Sequence, residues 1–206
     1  VTLSLEGLPP VEAGPFIVAG SHALSRTSPG KIAVLIEAGP AFGTGHHGTT
    51  LGCLLALDEV RRRRAIGKVL DLGTGSGVLA IAAMKAGAHS AIGTDIDFDS
   101  VRVANENAEK NHVSGFTALH ITGANTPRIR QGGPYDTVFA NILMKPLIGL
   151  APTIAPLTAP GGTIILSGLL HHQAGPVRSA FAARGLSFQH RIKKDGWSTL
   201  VFRKPG

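Results

Sequence analysis

The chain has 206 residues, 43% of them hydrophobic, enough for one α/β domain with a sizeable core and at most a short appendage. Lys and Arg outnumber Asp and Glu by 20 to 13, for a net charge of +7, but only 5% of residues are aromatic, so no stacking platform for bases is expected and no direct nucleic-acid binding. No apolar run approaches the roughly 20 residues of a membrane span, the start of the chain does not resemble a secretory signal, and the single cysteine excludes an internal disulfide or a cysteine-built metal site, so the expected setting is the cytoplasm.

Residues 1–35 begin rich in Pro and Gly, and the chain opens on Val1 rather than Met, so residues preceding it are expected. Phe16–Ala19 and Lys31–Ile36 read as two strands around the polar turn Ser25–Gly30, a hairpin or linker in front of a main domain at 36–206. The loop Glu37–Thr50 then packs glycines around Phe42, His46 and His47, and Thr49 or Thr50 is placed to cap the next helix. His46 and His47 are not expected to hold a metal, because adjacent histidines share no helical face and no carboxylate or thiol stands near. Thr49–Arg63 reads as a helix that contains Cys53 as a small buried hydrophobe and ends in Arg61–Arg64, a solvated end that complements the helix dipole.

Lys68–Leu72 is a short apolar strand, followed by Gly73, Gly75 and Gly77 at every second position and then by an apolar helix, Ser76–Ala86. A strand turning through glycines into a helix leaves N–H groups unpaired at the helix start and lets the backbone approach a ligand. The spacing is not the dinucleotide pattern G-x-G-x-x-G, because Val78 stands at its third glycine. It is D-x-G-x-G-x-G with Asp71 on the strand end, similar to the first motif of class I S-adenosylmethionine-dependent methyltransferases. The next strand, Ser90–Thr94, ends in Asp95, a carboxylate placed to take both hydroxyls of an adenosine ribose.

Helix Ser100–Asn111, strand Ala118–Thr122 and a polar loop, Asn125–Pro134, follow. Strand Tyr135–Ala140 ends at Asn141, and helix Lys145–Leu157 is expected to kink or shorten at Pro152 and Pro156. A turn at Ala159–Gly162 leads into strand Thr163–Ser167, then helix Gln173–Arg184. Leu186–Lys193 and Trp197–Arg203 form a closing hairpin turned at Asp195-Gly196. The alternation predicts a doubly wound, mostly parallel seven-stranded sheet with helices on both faces and an antiparallel C-terminal edge strand.

Phe42-Gly43-Thr44-Gly45 with His47, Thr49 and Thr50 resembles the signature loop of the ribosomal protein L11 methyltransferases. Asp71–Gly77, Gly93–Asp97, Ala140-Asn141-Ile142-Leu143, Ser167–Leu170 with Gln173, and the segment around Trp197 extend the resemblance over roughly residues 31–206. His46 and Gly48 depart from the commonest form of the loop, which has Thr and Pro beside the histidine. The family also carries a small N-terminal domain that binds the ribosomal protein, for which residues 1–35 are too short.

The resemblance implies S-adenosylmethionine as cofactor and an amine of ribosomal protein L11 as methyl acceptor, with the enzyme expected as a monomer. It implies that Gly73 and Gly75 admit the cofactor's backbone-facing parts, Asp95 holds the ribose, Thr50 bonds the amino-acid end and Phe42 helps enclose it. Asn141 touches the cofactor and orients the incoming amine, which makes it the one catalytic candidate. No general base stands out, and His47 is equally readable as a structural loop histidine. A nucleic-acid base methyltransferase is disfavoured, because Asn141 is followed by Ile142-Leu143-Met144 rather than Pro-Pro-aromatic. A small-molecule amine methyltransferase stays open, and a non-enzymatic adenosine-binding module has no need of the Phe42–Thr50 loop.

Overall fold

The computed structural model of the protein describes residues 10–24, 30–37 and 47–206. The front segment holds β1 (Val11–Ala13), β2 (Phe16–Ala19), the one-turn α1 (Ser21–Leu24) and β3 (Ile32–Leu35). The long α2 (His47–Arg63) leads into β4 (Lys68–Leu72) and α3 (Val78–Lys85). Next come β5 (Ser90–Asp95), α4 (Phe98–Lys110), β6 (Phe116–His120), α5 (Pro127–Gly132), β7 (Tyr135–Asn141) and α6 (Met144–Leu157). The chain closes with β8 (Thr158–Leu170), a 3-10 turn (His171–Gln173), α7 (Ala174–Ala182), β9 (Ser187–Lys194) and β10 (Trp197–Arg203).

Seven strands form one sheet in the order β6-β5-β4-β7-β8-β10-β9. Strands β4 to β8 pair in parallel, and β10 runs antiparallel to both β8 and β9. The expected doubly wound sheet is therefore present. Its antiparallel C-terminal strand lies one place in from the edge, which β9 occupies. The chain leaves β4 toward β5 and β6, then returns to the other side of β4 with β7. The two loops diverge between β4 and β7, and such a switch point opens a crevice at the carboxyl edge.

Period-two alternation sends strand residues into two cores. Val69, Phe139, Ile165 and Val201 face one, with α2, α3 and α4. Leu70, Val138, Leu166 and Phe202 face the other, with α6 and α7. Val78–Ala83 of α3 are all buried. That helix is apolar all round because the front strands cover its outer side: Val11, Phe16, Val18 and Val34 share its core.

The front segment corrects one expectation. β2 pairs with β3 in parallel, with register Phe16↔Ile32, so these strands are not two arms of a hairpin. The hairpin is β1–β2, in register Val11↔Val18 to Ala13↔Phe16. Parallel pairing sets β3 against α3, and Val18 of β2 and Val34 of β3 enter the same core. Asn111, at the end of α4, then fixes β3: its Oδ1 accepts from Leu35 N at 2.8 Å and its Nδ2 donates to Leu35 O at 2.7 Å.

Other boundaries also moved. The expected polar loop contains α5, capped by Thr126 and pinned by the fully buried Ile129. α6 runs through Pro152 and Pro156 without ending, held by its buried face of Leu147, Ala151 and Ile154. The expected turn at Ala159–Gly162 is part of β8, which spans 13 residues. The closing hairpin turns where expected. Asp195 and Gly196 have φ of 47° and 82°, as a two-residue turn with both central residues left-handed requires.

Candidate active site

The glycine turn after β4 is held by its own neighbours. Gly73 N and Thr74 N both donate to Thr94 O, at 2.8 and 2.9 Å, and Gly77 N donates to Thr74 O at 2.8 Å. Gly73, Gly75 and Gly77 have φ of 69°, 54° and 80°, which side-chain-bearing residues avoid. A Cβ on Gly73 would stand 2.4 Å from Ile142 Cγ2, so this glycine keeps the crevice between β4 and β7 open.

Asp71 lies beneath the turn and is 1% exposed. Its Oδ2 accepts from Thr74 Oγ1 at 2.7 Å. Burial pushes its carboxyl up to about 6, against the pull of Thr74 and the Ala80 N–H and with a further push from Asp95. Cys53 is fully buried beside it, and burial, then the charge on Asp71, raise its thiol. That thiol is the inert small hydrophobe expected from its helix pattern.

Asp95 is aimed by two backbone groups. Gly75 N donates to Oδ2 at 2.9 Å and Asp97 N donates to Oδ1 at 3.0 Å. Each oxygen keeps a second lone pair for a ligand. Asp97 caps α4 and accepts from Ser100 N at 3.0 Å. Gly73 and Asp95 line a cavity of about 480 Å³ with Ile96, Ile121, Ile142 and Leu143. That volume is typical of a small-molecule site, which is mostly apolar with a few fixed polar groups. Ile96 and Leu143 are 71% and 69% exposed at its rim, large apolar side chains with no core to enter. These walls were not singled out from sequence. The signal available was an isoleucine directly after the strand-ending Asp95, out of step with the buried pattern.

The far wall comes from α2, β7 and β10. Asn141 ends β7 half-buried, and its Nδ2 donates to Thr49 Oγ1 at 3.2 Å. α2 begins at His47, so Thr49 and Thr50 lie within its first turn rather than at its cap. Both are buried, at 0% and 7% exposure, and it is Thr49 that meets Asn141. Gly48 and Gly52, one helical turn apart, let α2 approach the closing hairpin. A Cβ on Gly48 would stand 2.9 Å from Lys194 O, and one on Gly52 would stand 2.1 Å from Thr199 Oγ1. Thr199 in turn shares a hydrogen bond with Ser167 Oγ at 2.9 Å.

Gly73, Gly75, Asp95 and Asn141 thus all stand at the carboxyl edge of the central strands, with the first turn of α2 against Asn141. Phe42 and most of the signature loop, 38–46, lie outside the described residues. Among the described residues no group of three or more His, Cys, Asp or Glu could hold a metal ion, and no helix is long and apolar enough to cross a membrane.

The model of the family described as ribosomal protein L11 methyltransferase (PrmA) matches residues 1–205, so the likeness extends through the front segment and beyond the 31–206 read from motifs. The ribosomal protein L11 methyltransferase of Bradyrhizobium diazoefficiens is 51% identical over 207 residues, covering 100% of this chain and 70% of that protein. Its counterpart in Caulobacter sp. strain K31 is 48% identical over 205 residues, covering 100% of this chain and 71% of that protein. Among solved structures, a ribosomal protein L11 methylase from Lactobacillus delbrueckii subsp. bulgaricus superposes with a TM-score of 0.83 at 25% identity, over 97% of this chain and 100% of that one. With the family model matched from end to end and half the residues shared with its relatives, the chain belongs to the ribosomal protein L11 methyltransferase family.

Proposed function

We propose that this enzyme transfers a methyl group from S-adenosylmethionine to an amine of ribosomal protein L11, at the carboxyl edge of β4, β5 and β7. The observation that carries the reading is Asp95. Two backbone N–H groups fix its carboxylate at the mouth of an apolar cavity, beside a glycine turn that a Cβ would close. A carboxylate so held accepts from both ribose hydroxyls in charge-assisted bonds. Ile96, Ile142 and Leu143 enclose the adenine, and the Gly73–Gly75 backbone borders the ribose and methionine portions.

Bound S-adenosylmethionine supplies an electrophilic methyl on a sulfonium. The protein supplies position, the main source of rate in an in-line displacement. The bond from Asn141 Nδ2 to Thr49 Oγ1 turns the amide so that Oδ1 is offered to an N–H of the incoming amine. Thr50 contributes to the amino-acid end and Phe42 to the enclosure. A lysine acceptor must first lose a proton. With a reference pKa of about 10.4 that costs roughly 4–5 kcal/mol at pH 7. An apolar pocket lowers this by disfavouring the charged ammonium. In this reading residues 36–206 form the methyltransferase unit, which works as a monomer in the cytoplasm, and the front strands β1, β2 and β3 brace it.

Calorimetry with S-adenosylmethionine tests the assignment. Asp95→Ala removes a pair of charge-assisted bonds, on the order of 1.5–3 kcal/mol, so affinity should fall at least tenfold. Unchanged affinity would take Asp95 out of the site. A methylation assay on purified L11 with labelled cofactor then tests the acceptor.

A further inference from the structure

Arg61–Arg63 close α2 and Arg64 follows it directly, and the structure divides these four arginines into two pairs. Arg61 Nε and Arg62 Nη2 engage the two oxygens of Asp58, at 2.7 and 3.0 Å. Arg63 and Arg64 instead line a groove of about 170 Å³ with Arg203, His190, Gln189 and Thr163. The groove lies at the amino edge of the sheet, opposite the candidate active site. A solvated helix end accounts for the exposed Arg61, Arg62 and Arg63 but not for Arg64, which is half-buried.

Arg64 is anchored there. Its Nη2 donates to Asp136 O at 2.9 Å and to Thr163 Oγ1 at 2.6 Å. Arg203 is the register partner of Thr163 across β10 and β8, and its Nε donates to Gly161 O at 3.3 Å. Burial, then the charge on Arg203, lower the pKa of Arg64, and Asp136 only partly offsets them. Among the described residues no carboxylate lies within ion-pair distance of Arg63, Arg64 or Arg203. Glu59 lines the groove, but its Oε2 stands 3.0 Å from His190 Nε2.

The edge strand is also shaped around the groove. β9 pairs Phe188 with Phe202 and His190 with Val201, which leaves Gln189 outside the ladder as a bulge. Bulges at sheet edges re-aim side chains, and this one brings Gln189 to the groove. Arg64 is half-buried beside the exposed Arg63 and Arg203, and gathering like charges there is unfavourable unless an anion joins them. The dipole at a helix C-terminus opposes an anion, so selectivity rests on the guanidiniums, whose forked donors match tetrahedral oxyanions.

We propose that this groove is a binding site for a phosphate group, separate from the methyl-transfer site. Inorganic phosphate and the backbone of an RNA strand offer the same chemistry, and one experiment separates them. Calorimetry at constant ionic strength on the full chain titrates inorganic phosphate in one arm and a short single-stranded RNA in the other. Arg64 stays intact, because its bonds to Asp136 and Thr163 tie α2 to the sheet. In the double variant Arg63→Gln/Arg203→Gln, phosphate affinity should fall by at least about tenfold, as expected for lost charge-assisted bonds. Its unfolding midpoint without phosphate checks that the fold is kept. RNA that binds more tightly than phosphate, and loses that binding in the variant, assigns the groove to a nucleic-acid backbone. RNA that binds no more tightly assigns it to a free phosphate group. No phosphate binding at millimolar concentration, or binding that the double variant leaves unchanged, overturns the proposal.

Discussion

The turn after β4 and the wall formed by α2, β7 and β10 meet at the same edge of the sheet, but they are built differently. The turn is made by neighbours. Thr74 bonds Asp71 three residues away, and Gly75 bonds Asp95 twenty residues away. The wall is made by strangers. Asn141 and Thr49 are 92 residues apart, and the glycine that lets α2 approach the sheet, Gly52, fits under Thr199 from the far end of the chain. Local hydrogen bonds and left-handed glycines suffice for the first. The second exists only once the sheet has brought its strands together. Substitutions in the turn should therefore act through electrostatics and ligand contact, and substitutions in the wall through packing and side-chain aim.

The largest expected effect is in the turn and concerns pH. Asp71 has a folded pKa of about 6 against an ordinary 3.8, a difference of about 2.2 units or roughly 3 kcal/mol. The unfolded chain releases this proton first. The contribution to stability is therefore fully present below about pH 3.8 and is lost as pH rises through 6. Asp71→Asn lacks this loss. Denaturant unfolding between pH 4 and 7 should show the variant gaining on the parent by up to about 3 kcal/mol, whatever its absolute stability. Parallel pH profiles would place the shift elsewhere.

In the wall, Gly52→Ala should destabilise by about 2 kcal/mol, because its Cβ overpacks a buried threonine. Alanine is the better helix former by about 1 kcal/mol, so a loss cannot come from helix propensity. Thr199→Ala removes the oxygen that the new Cβ meets at 2.1 Å. In a double-mutant cycle it should recover part of the loss. Additive effects would show that the two positions do not touch in solution.

The smallest effect separates aim from binding. Thr49→Val removes the acceptor that orients Asn141 and should lower kcat by several-fold, about 1 kcal/mol, with little change in cofactor affinity. Thr49→Ser should restore turnover. A variant that loses stability but keeps kcat would give Thr49 a structural role only.

The amino-acid sequence determined the strand-turn-helix at Asp71–Gly77, the acid at Asp95, the turn of the closing hairpin at Asp195-Gly196 and the parallel α/β class. Each rests on spacing within about twenty residues, where backbone preferences and short hydrogen bonds decide the outcome. The helix at Pro127–Gly132 escaped because one buried residue, Ile129, holds it against a polar composition. The parallel pairing of β2 with β3 escaped because two short apolar strands read alike in either direction. The tertiary structure alone decided which of Thr49 and Thr50 meets Asn141, which aliphatic side chains wall the cavity, and which two of four arginines turn to the groove. A side chain's partner across the fold depends on how strands order in the sheet and how closely helices pack on it. Neither is written in the local periodicity of the chain.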